Sequence, residues 1–450
     1  MRPIRTIELF TSLGGIKRCY PRPSLATARD KVNTEPVRRD GMDELALRGG
    51  PEAAQALDVP DWPRCPDGAR ENVLDVLESA NWCRVYDDAP WVDRFEERFA
   101  DYHDADHAIA VANGTVALEV ALRMLDVQPG DEVLVPPYTF IATASAVTSL
   151  GAVPRFVDVD PDTYNVNPAA VADAVTDRTV GMVGVHVAGY PMDFDALLPL
   201  LDDHDLFLVE DAAHAQGTEW RGEKVGTIGD VGTFSFQESK SLSGGEGGIV
   251  VTDDDVLAER GQLLHNIGRQ DGSVYRHYEL ASNARMTEFQ GALLCAQLDE
   301  LPAQNETRRG NERALREEIA DIDGISAKPE DDRITARGYC LFDLSYDPDA
   351  FDGLPRNRFI EALNAEGVPA GTGYSIPLYR QPAFSRATVE ALVPADADVP
   401  AYRSLHLPGV EEVCSTTVTM PHEVLLASET GVRSVGDAVR KIRRRAPELG

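Results

Sequence analysis

The chain has 450 residues, 43% of them hydrophobic and 26% charged, enough for one large buried core with a smaller one beside it. Asp and Glu total 75 against 43 Lys and Arg, and the formal net charge of −32 is spread along the chain rather than gathered in a tail. That balance excludes a nucleic-acid surface, whose phosphates it would repel, and it suits a halophilic protein hydrated in a salty cytoplasm, where charge is screened over roughly 3 Å at molar salt.

Residues 1–41 differ from the rest. They carry nine basic and four acidic residues, with no helical period and no signal-peptide apolar core. They read as a flexible extension, and the acidic character begins at Met42. From Trp91 to His103 the spacing of Trp91, Phe95, Phe99 and Tyr102 predicts a helix. His107 to Ala112 reads as a strand, Asn113-Gly114-Thr115 as a break, and Val116 to Leu125 as a helix. Further strands are expected at Glu132–Val135, Val153–Val159, Val180–Val187 and Leu206–Val209. Helices near 140–150, 168–175 and 193–203 separate them. Several of the strands are valine-rich, as strands buried on both faces of a parallel sheet are. This is the βαβ rhythm of an α/β domain. A strand at Ile249–Thr252, a helix at 255–266 and two helices within 286–320 complete a large domain, 42–320. Strand-like 338–346, helix-like 356–367 and a final helix at 431–445 suggest a smaller α+β domain, 321–450.

Six cysteines (Cys19, Cys65, Cys83, Cys295, Cys340, Cys414) lie far apart with no CxxC pair, so neither a metal site nor a disulfide framework is indicated. No apolar stretch reaches the ~18 residues of a membrane span, and a cytoplasmic protein is expected.

Lysine is scarce. Only Lys17, Lys31, Lys224, Lys240, Lys328 and Lys441 occur. Lys240 falls in the small-residue loop from Phe234 to Gly248, after an apolar run. Taken alone it reads as a solvated loop lysine. An amine, unlike a guanidinium, condenses with an aldehyde, so lysine in such a loop also suggests a Schiff base with pyridoxal phosphate (PLP). Asp211 follows the strand Leu206–Val209, at the sheet edge where open α/β folds bind ligands. A carboxylate there can hold the pyridine nitrogen protonated; it can equally cap a helix. His214 comes within reach of the ring's phenolic oxygen if the turn opens as a helix, or is a structural histidine. Gly114 and Thr115, between strand and helix, offer backbone N–H groups and a hydroxyl to a phosphate, and Ser235 offers another hydroxyl. Phe140, after Pro136-Pro137, either stacks on a flat ring or packs in the core. Anion site, aromatic, carboxylate, hydroxyl and lysine occur in that order, each at a strand-to-loop junction.

These segments, with Ser282-Asn283-Ala284-Arg285-Met286 and Ile376-Pro377-Leu378-Tyr379, resemble the DegT/DnrJ/StrS family of sugar aminotransferases over most of 42–450. The resemblance implies the fold-type I architecture: a large, mixed, mostly parallel sheet domain and a smaller C-terminal domain. It implies PLP bound to Lys240, with Asp211 on the pyridine nitrogen, His214 at the 3-hydroxyl and Phe140 stacked. Gly114, Thr115 and Ser235 would hold the phosphate. Asn283 would reach it from a neighbouring subunit, which makes a homodimer with shared sites. Asp-Ala-Ala-His-Ala and the Phe-Ser-Phe-Gln loop resemble the cyclitol branch, including scyllo-inosose aminotransferases and aminohydroxybenzoate synthases. The expected reaction moves an amino group from glutamate or glutamine to a keto-sugar or keto-cyclitol. Arg269 and Arg285 are candidates for the donor carboxylate, and Tyr374, Tyr379 and His186 for the sugar. A PLP-dependent cyclitol dehydratase or lyase, and a non-catalytic PLP-binding regulator, are the alternatives. Neither membrane nor nucleic acid is expected as a partner.

Overall fold

The computed structural model describes residues 44–85, 90–270 and 275–449; the basic segment 1–41, read above as a flexible extension, and Met42 lie outside them. Helices α1 (Ala69–Ser79) and α2 (Pro90–His103) come first, and α2 buries Trp91, Phe95 and Phe99 as their spacing predicts. The alternating region then runs β1 (His107–Val111), α3 (Gly114–Met124), β2 (Glu132–Val135), α4 (Ala142–Ser149), β3 (Val153–Phe156), α5 (Pro168–Ala174), β4 (Thr179–Val185), α6 (Phe194–Asp203) and β5 (Phe207–Asp211). A short hairpin of β6 (Glu219–Trp220) and β7 (Glu223–Lys224) leads to β8 (Val231–Ser235), β9 (Gly248–Thr252) and α7 (Asp255–His265). After α8 (Glu288–Ile319) come β10 (Ile325–Ala327), β11 (Ile334–Ala336), β12 (Leu341–Tyr346), α9 (Arg356–Ala365), α10 (Arg386–Glu390), α11 (Pro408–Thr416), β13 (Thr417–Pro421) and α12 (Glu429–Arg445).

The main sheet has seven strands in the order β1-β9-β8-β5-β4-β2-β3. Only β9 runs against its neighbours; the remaining strands share one direction. Alternate residues feed separate apolar clusters on the two faces. Val133, Val135, Val183, Val185 and Val209 lie in one, and Leu134, Met182 and Leu208 in the other. Period two with both faces covered explains the near-continuous valine runs. The carboxyl ends of β1, β2, β4, β5 and β8 therefore open on one edge. The amino end of β9 arrives at the same edge, with Gly248 opposite both Val111 and Ser235.

A third apolar cluster joins the antiparallel sheet β10-β12-β13 to α9, α12 and the end of α8. Leu45 and Ala54, from the first described segment, pack into it. A small sheet, β11-β6-β7, links residues 334–336 to the hairpin.

The two helices expected within 286–320 are one. Helix α8 runs for 32 residues with Pro302 inside it. An interior proline costs about 3 kcal/mol. The buried positions Leu298, Leu301, Asn305 and Arg308 keep helical spacing through it, so continuous burial outweighs the lost hydrogen bond. Thr287 and Gln290 close its start as a reciprocal cap. Among the described residues no helix is long and apolar enough to cross a membrane.

Candidate active site

Asp211 is the last residue of β5 rather than the first of a helix. The following segment folds back in tight turns, with Ala215 N–H donating to Ala212 O at 2.8 Å. The Asp211 carboxylate is buried, accepting from Thr143 Oγ1 at 2.8 Å and Ala213 N–H at 3.3 Å. Burial raises its pKa; the Thr143 hydroxyl and the Lys240 charge oppose the rise. A buried carboxylate of this kind is matched by a cationic N–H placed opposite it.

His214 is also buried, and Ala188 N–H donates to its Nδ1 at 3.3 Å. With Nδ1 accepting, the ring proton sits on Nε2. Burial first, and then the Lys240 charge, hold its pKa well below 6.5, so the ring is neutral. The donor residue Ala188 has φ 56°, a left-handed conformation that is strained for any residue with a Cβ. The turn after β4 thus holds a strained backbone that faces His214.

Lys240 is half-buried in the loop between β8 and β9. Phe236 N–H donates to Gly247 O at 2.8 Å, and Gly244 N–H to Phe236 O at 2.9 Å, which pins the base of the loop. Gln216, fully buried, crosses from the Asp211 segment. Its Nε2 donates to Ser235 O at 3.0 Å and its Oε1 accepts from Ser241 Oγ at 3.2 Å, so it binds the residues on both sides of Lys240. On the far side Trp62 Nε1 donates to Lys240 O at 3.1 Å. Among the described residues nothing accepts a hydrogen bond from Lys240 Nζ.

Asn113 caps α3, its side chain accepting from Val116 N–H at 3.0 Å. The helix start, Gly114 and Thr115, lies against the end of β8. A Cβ on Gly114 would stand 2.7 Å from Ser235 Cβ, and one on Gly248 would stand 2.5 Å from the Asn113 carbonyl. Glycine is required at both places for the helix terminus to reach the strand ends. The first N–H groups of α3 and the Ser235 hydroxyl then share one corner, where a helix terminus favours an anion. Phe140, after β2, is 59% exposed, while its neighbour Tyr138 is buried. An exposed ring on this edge is a face for a flat ligand.

Two expected sugar contacts, His186 and Tyr379, are not part of this cluster. His186 is wholly buried, with Nε2 on Glu210 Oε2 at 2.8 Å and Nδ1 accepting from Met192 N–H at 3.3 Å. Both ring nitrogens are occupied, so it is not a sugar contact. Tyr379 is buried and donates to Glu411 Oε1 at 2.9 Å, which removes it as well. Tyr374 is half-buried against the Tyr138 ring at 5.3 Å. Asn283 is exposed and its side chain accepts from Arg285 N–H at 3.4 Å. Arg269 and Arg285 both donate to Asn266 Oδ1, at 3.3 and 2.8 Å. Thr143, Gln216 and Trp62 were missed. Gln216 lies two residues beyond His214 and Thr143 three beyond Phe140, so both sit in motifs already noticed; Trp62 gave no signal. Among the described residues no group of three or more His, Cys, Asp or Glu could hold a metal ion.

The donor set fits PLP: an amine without a protein partner, a buried carboxylate, a neutral histidine N–H, an exposed aromatic face, and a glycine-built anion corner. Residues 67–439 match the DegT/DnrJ/EryC1/StrS aminotransferase family. The chain is 36% identical over 414 residues to the L-glutamine:2-deoxy-scyllo-inosose aminotransferase of Streptoalloteichus tenebrarius, covering 87% of this chain and 95% of that one. It is 37% identical over 390 residues to the 3-amino-5-hydroxybenzoate synthase of Amycolatopsis mediterranei, covering 86% and 98%. Its fold is similar to the crystal structure of 3-amino-5-hydroxybenzoic acid synthase, with a TM-score of 0.78 and 35% identity over 87% of this chain and all of that one. The chain belongs to the DegT/DnrJ/EryC1/StrS family and is a fold-type I, PLP-dependent aminotransferase.

Proposed function

We propose that this aminotransferase carries an amino group from glutamine, or glutamate, to a keto-cyclitol, with Lys240, Asp211 and His214 as its catalytic residues. The observation that carries the assignment is their convergence with the Gly114–Ser235 corner on one sheet edge. Glutamine and the cyclitol class rest on what the similar enzymes are named for. A keto-sugar is the wider substrate class.

Bound PLP supplies a ring that takes up the electron pair left when the amino-bearing carbon loses its proton. Lys240 Nζ would hold the cofactor covalently, and its amine, once free, would be the base that takes the α-proton of the donor. Asp211 would keep a proton on the pyridine nitrogen. His214 would offer its Nε2–H to the 3-hydroxyl, and Phe140 would cover a ring face. The N–H groups of Gly114 and Thr115 would hold the phosphate together with Ser235. Arg269 and Arg285 are the cationic candidates for the donor carboxylate.

Asn283 serves the neighbouring subunit of a homodimer. Exposed apolar residues near it in sequence, Tyr275, Tyr278 and Leu280, together with Leu77 and Trp82, support a second copy covering this region. A cytoplasm of high salt suits the charge of −32. Residues 42–320 form the cofactor domain and 321–450 the smaller one.

The test is product analysis. Purified protein with PLP, glutamine and a panel of keto-cyclitols and keto-sugars is expected to give an amino-cyclitol by mass spectrometry. No aminated product from any member would refute the assignment. The likeness to the aminohydroxybenzoate synthase favours a second reading, a PLP-dependent cyclitol dehydratase. Product formed from a cyclitol with the amino donor left out would select it.

A further inference from the structure

Helix α8 carries a buried cation that the reaction does not use. Arg308 is 0% exposed, and among the described residues no carboxylate lies within ion-pair distance of it. Its guanidinium donates only to neutral acceptors: Asn305 Oδ1 at 3.0 Å, Gln304 Oε1 at 3.2 Å and His422 Nδ1 at 3.1 Å. The charge of Glu423 offsets part of its burial from a distance, but a buried guanidinium with no carboxylate in direct contact still costs several kcal/mol, and an apolar side chain of similar volume would fill such a position at lower cost. Its presence therefore calls for a reason outside packing.

Two arms lead from it to the same loop. Along the first, Asn305 Nδ2 donates to Gln216 O at 2.9 Å, and the Gln216 side chain binds Ser235 O and Ser241 Oγ on either side of Lys240. Along the second, Arg308 can only donate, so His422 Nδ1 accepts and the imidazole is neutral. The His422 ring stands edge-on to Trp62, with centroids 4.6 Å apart and planes at 88°. Trp62 Nε1 donates to Lys240 O at 3.1 Å, and the Arg308 guanidinium lies 5.6 Å from the Trp62 ring centroid. One guanidinium thus fixes both walls of the lysine loop, which a single-point ammonium cannot do, because the fork's donors lie in one rigid plane.

We infer that Arg308 is a positioning residue that sets where the Lys240 amine stands, acting through Asn305–Gln216 on one side and His422–Trp62 on the other. The inference rests on the role assigned to Lys240 above. It touches neither cofactor nor substrate.

The experiment compares two forms of the cofactor. PLP links to Lys240, whereas pyridoxamine phosphate, with an amine in place of the aldehyde, cannot. A residue that places Lys240 changes affinity for the first and not for the second. Dissociation constants of both are measured on apo-protein by fluorescence quenching, for wild type, Arg308→Met, Arg308→Lys and Trp62→Phe. Arg308→Met should weaken PLP about tenfold and leave pyridoxamine phosphate within about twofold. Arg308→Lys keeps a cation but loses the fork, and should fall between; it carries the test if the methionine variant does not fold. Trp62→Phe keeps the ring and loses the N–H, and should weaken PLP about threefold. Equal weakening of both ligands, or of neither, overturns the inference. Lys240→Ala separates the two claims: if it leaves the ratio of the two constants unchanged, the role of Lys240 fails, whereas a ratio that moves in Lys240→Ala but in neither Arg308 variant sinks the role of Arg308 alone.

Discussion

Gly114→Ala is the sharpest probe of the anion corner, because its steric cost can be read from the geometry. The new Cβ would lie 2.7 Å from Ser235 Cβ and 3.0 Å from Ser235 Oγ. Carbon pairs rest at about 3.5–4.0 Å, so the junction has to open by about 1 Å. The strand side does not yield, since β8 is in register with β5 on one side and β9 on the other. The helix start moves instead. Overpacking of this kind costs about 1–3 kcal/mol, while alanine gains up to about 1 kcal/mol over glycine in a helix. Folding stability should therefore fall by no more than about 3 kcal/mol. Phosphate binding should suffer more, because the N–H groups of Gly114 and Thr115 leave the Ser235 hydroxyl by that displacement. Loss of one charge-assisted hydrogen bond, about 1.5–3 kcal/mol, corresponds to a PLP dissociation constant raised about 10- to 100-fold. Titrating apo-protein with PLP measures it, and pyridoxal without the phosphate is the control. If pyridoxal is weakened as much as PLP, or PLP binds as in wild type, the phosphate does not sit in this corner.

Asp211→Asn should lower kcat by about 10²- to 10⁴-fold while the absorbance of the Lys240–PLP imine persists; an unchanged rate removes Asp211 from its role. Glu210 accepts backbone N–H bonds from Gly226 at 2.7 Å, Ile228 at 2.8 Å and Gly229 at 2.6 Å, besides its contact with His186. Glu210→Gln sets amide hydrogens against those donors and should destabilise the fold by about 3 kcal/mol in urea melts. Burial lowers His103 and His265 to about 3, so both are neutral in the native state. As pH falls below 6.5 the unfolded chain takes up protons that the native state refuses, and each histidine costs about 1.4 kcal/mol per pH unit until about pH 3. Glu96, raised to about 7 by burial, works the other way, stabilising the fold as pH falls from 7 towards 4.5. Glu288, also raised to about 7 by burial, adds to that compensation. The steepest acid loss should lie below pH 4.5, where both glutamates have stopped compensating and the carboxylates of Glu132 and Asp331, held low by their arginines, add their loss to that of the histidines. His103→Gln can still accept from Gly217 N–H and should remove one histidine's share of that slope, read as urea midpoint against pH.

Residues whose positions are coded locally were legible. Gly114, Asp211, Ser235 and Lys240 each close or follow an apolar strand run, and strand ends in an α/β sheet gather on one edge. His186 was misread because its direction depends on register. Val185 pairs with Asp211, and Glu210 points to the opposite face from Asp211 because strand side chains alternate. The side chain after Val185 follows Glu210, away from the edge. Tyr379 was misread for a related reason: its partner Glu411 lies 32 residues on, in another helix. Trp62 and Lys240 are separated by 178 residues, and no pattern in either segment announces the other. Two helices were expected within 286–320, and the tertiary burial of α8, continuous past Pro302, makes them one.

The scarcity of lysine proves to have a wider meaning than a pointer to one residue. Of the lysines described, none is fully exposed. The side chains of Lys224, Lys328 and Lys441 are 15%, 2% and 4% exposed, and Lys240 is half-buried. Among the described residues the surface cations are arginines, and several hold more than one carboxylate, as Arg333 does with Asp193, Asp195 and Asp331, and Arg433 with Glu317, Glu318 and Glu429. A fork can bridge acids in that way; a compact ammonium serves one pocket. Lysine persists where such a pocket exists: Lys441 on Glu366 at 2.8 Å, Lys328 on Thr163 O at 2.7 Å, Lys224 on Glu219 at 2.6 Å. Scarcity alone therefore selects four residues, not one. What separates Lys240 is that its nitrogen has no acceptor among the described residues, although the backbone around it is held from both sides. An amine with a fixed stem and no protein partner is shaped for a bond to something outside the chain.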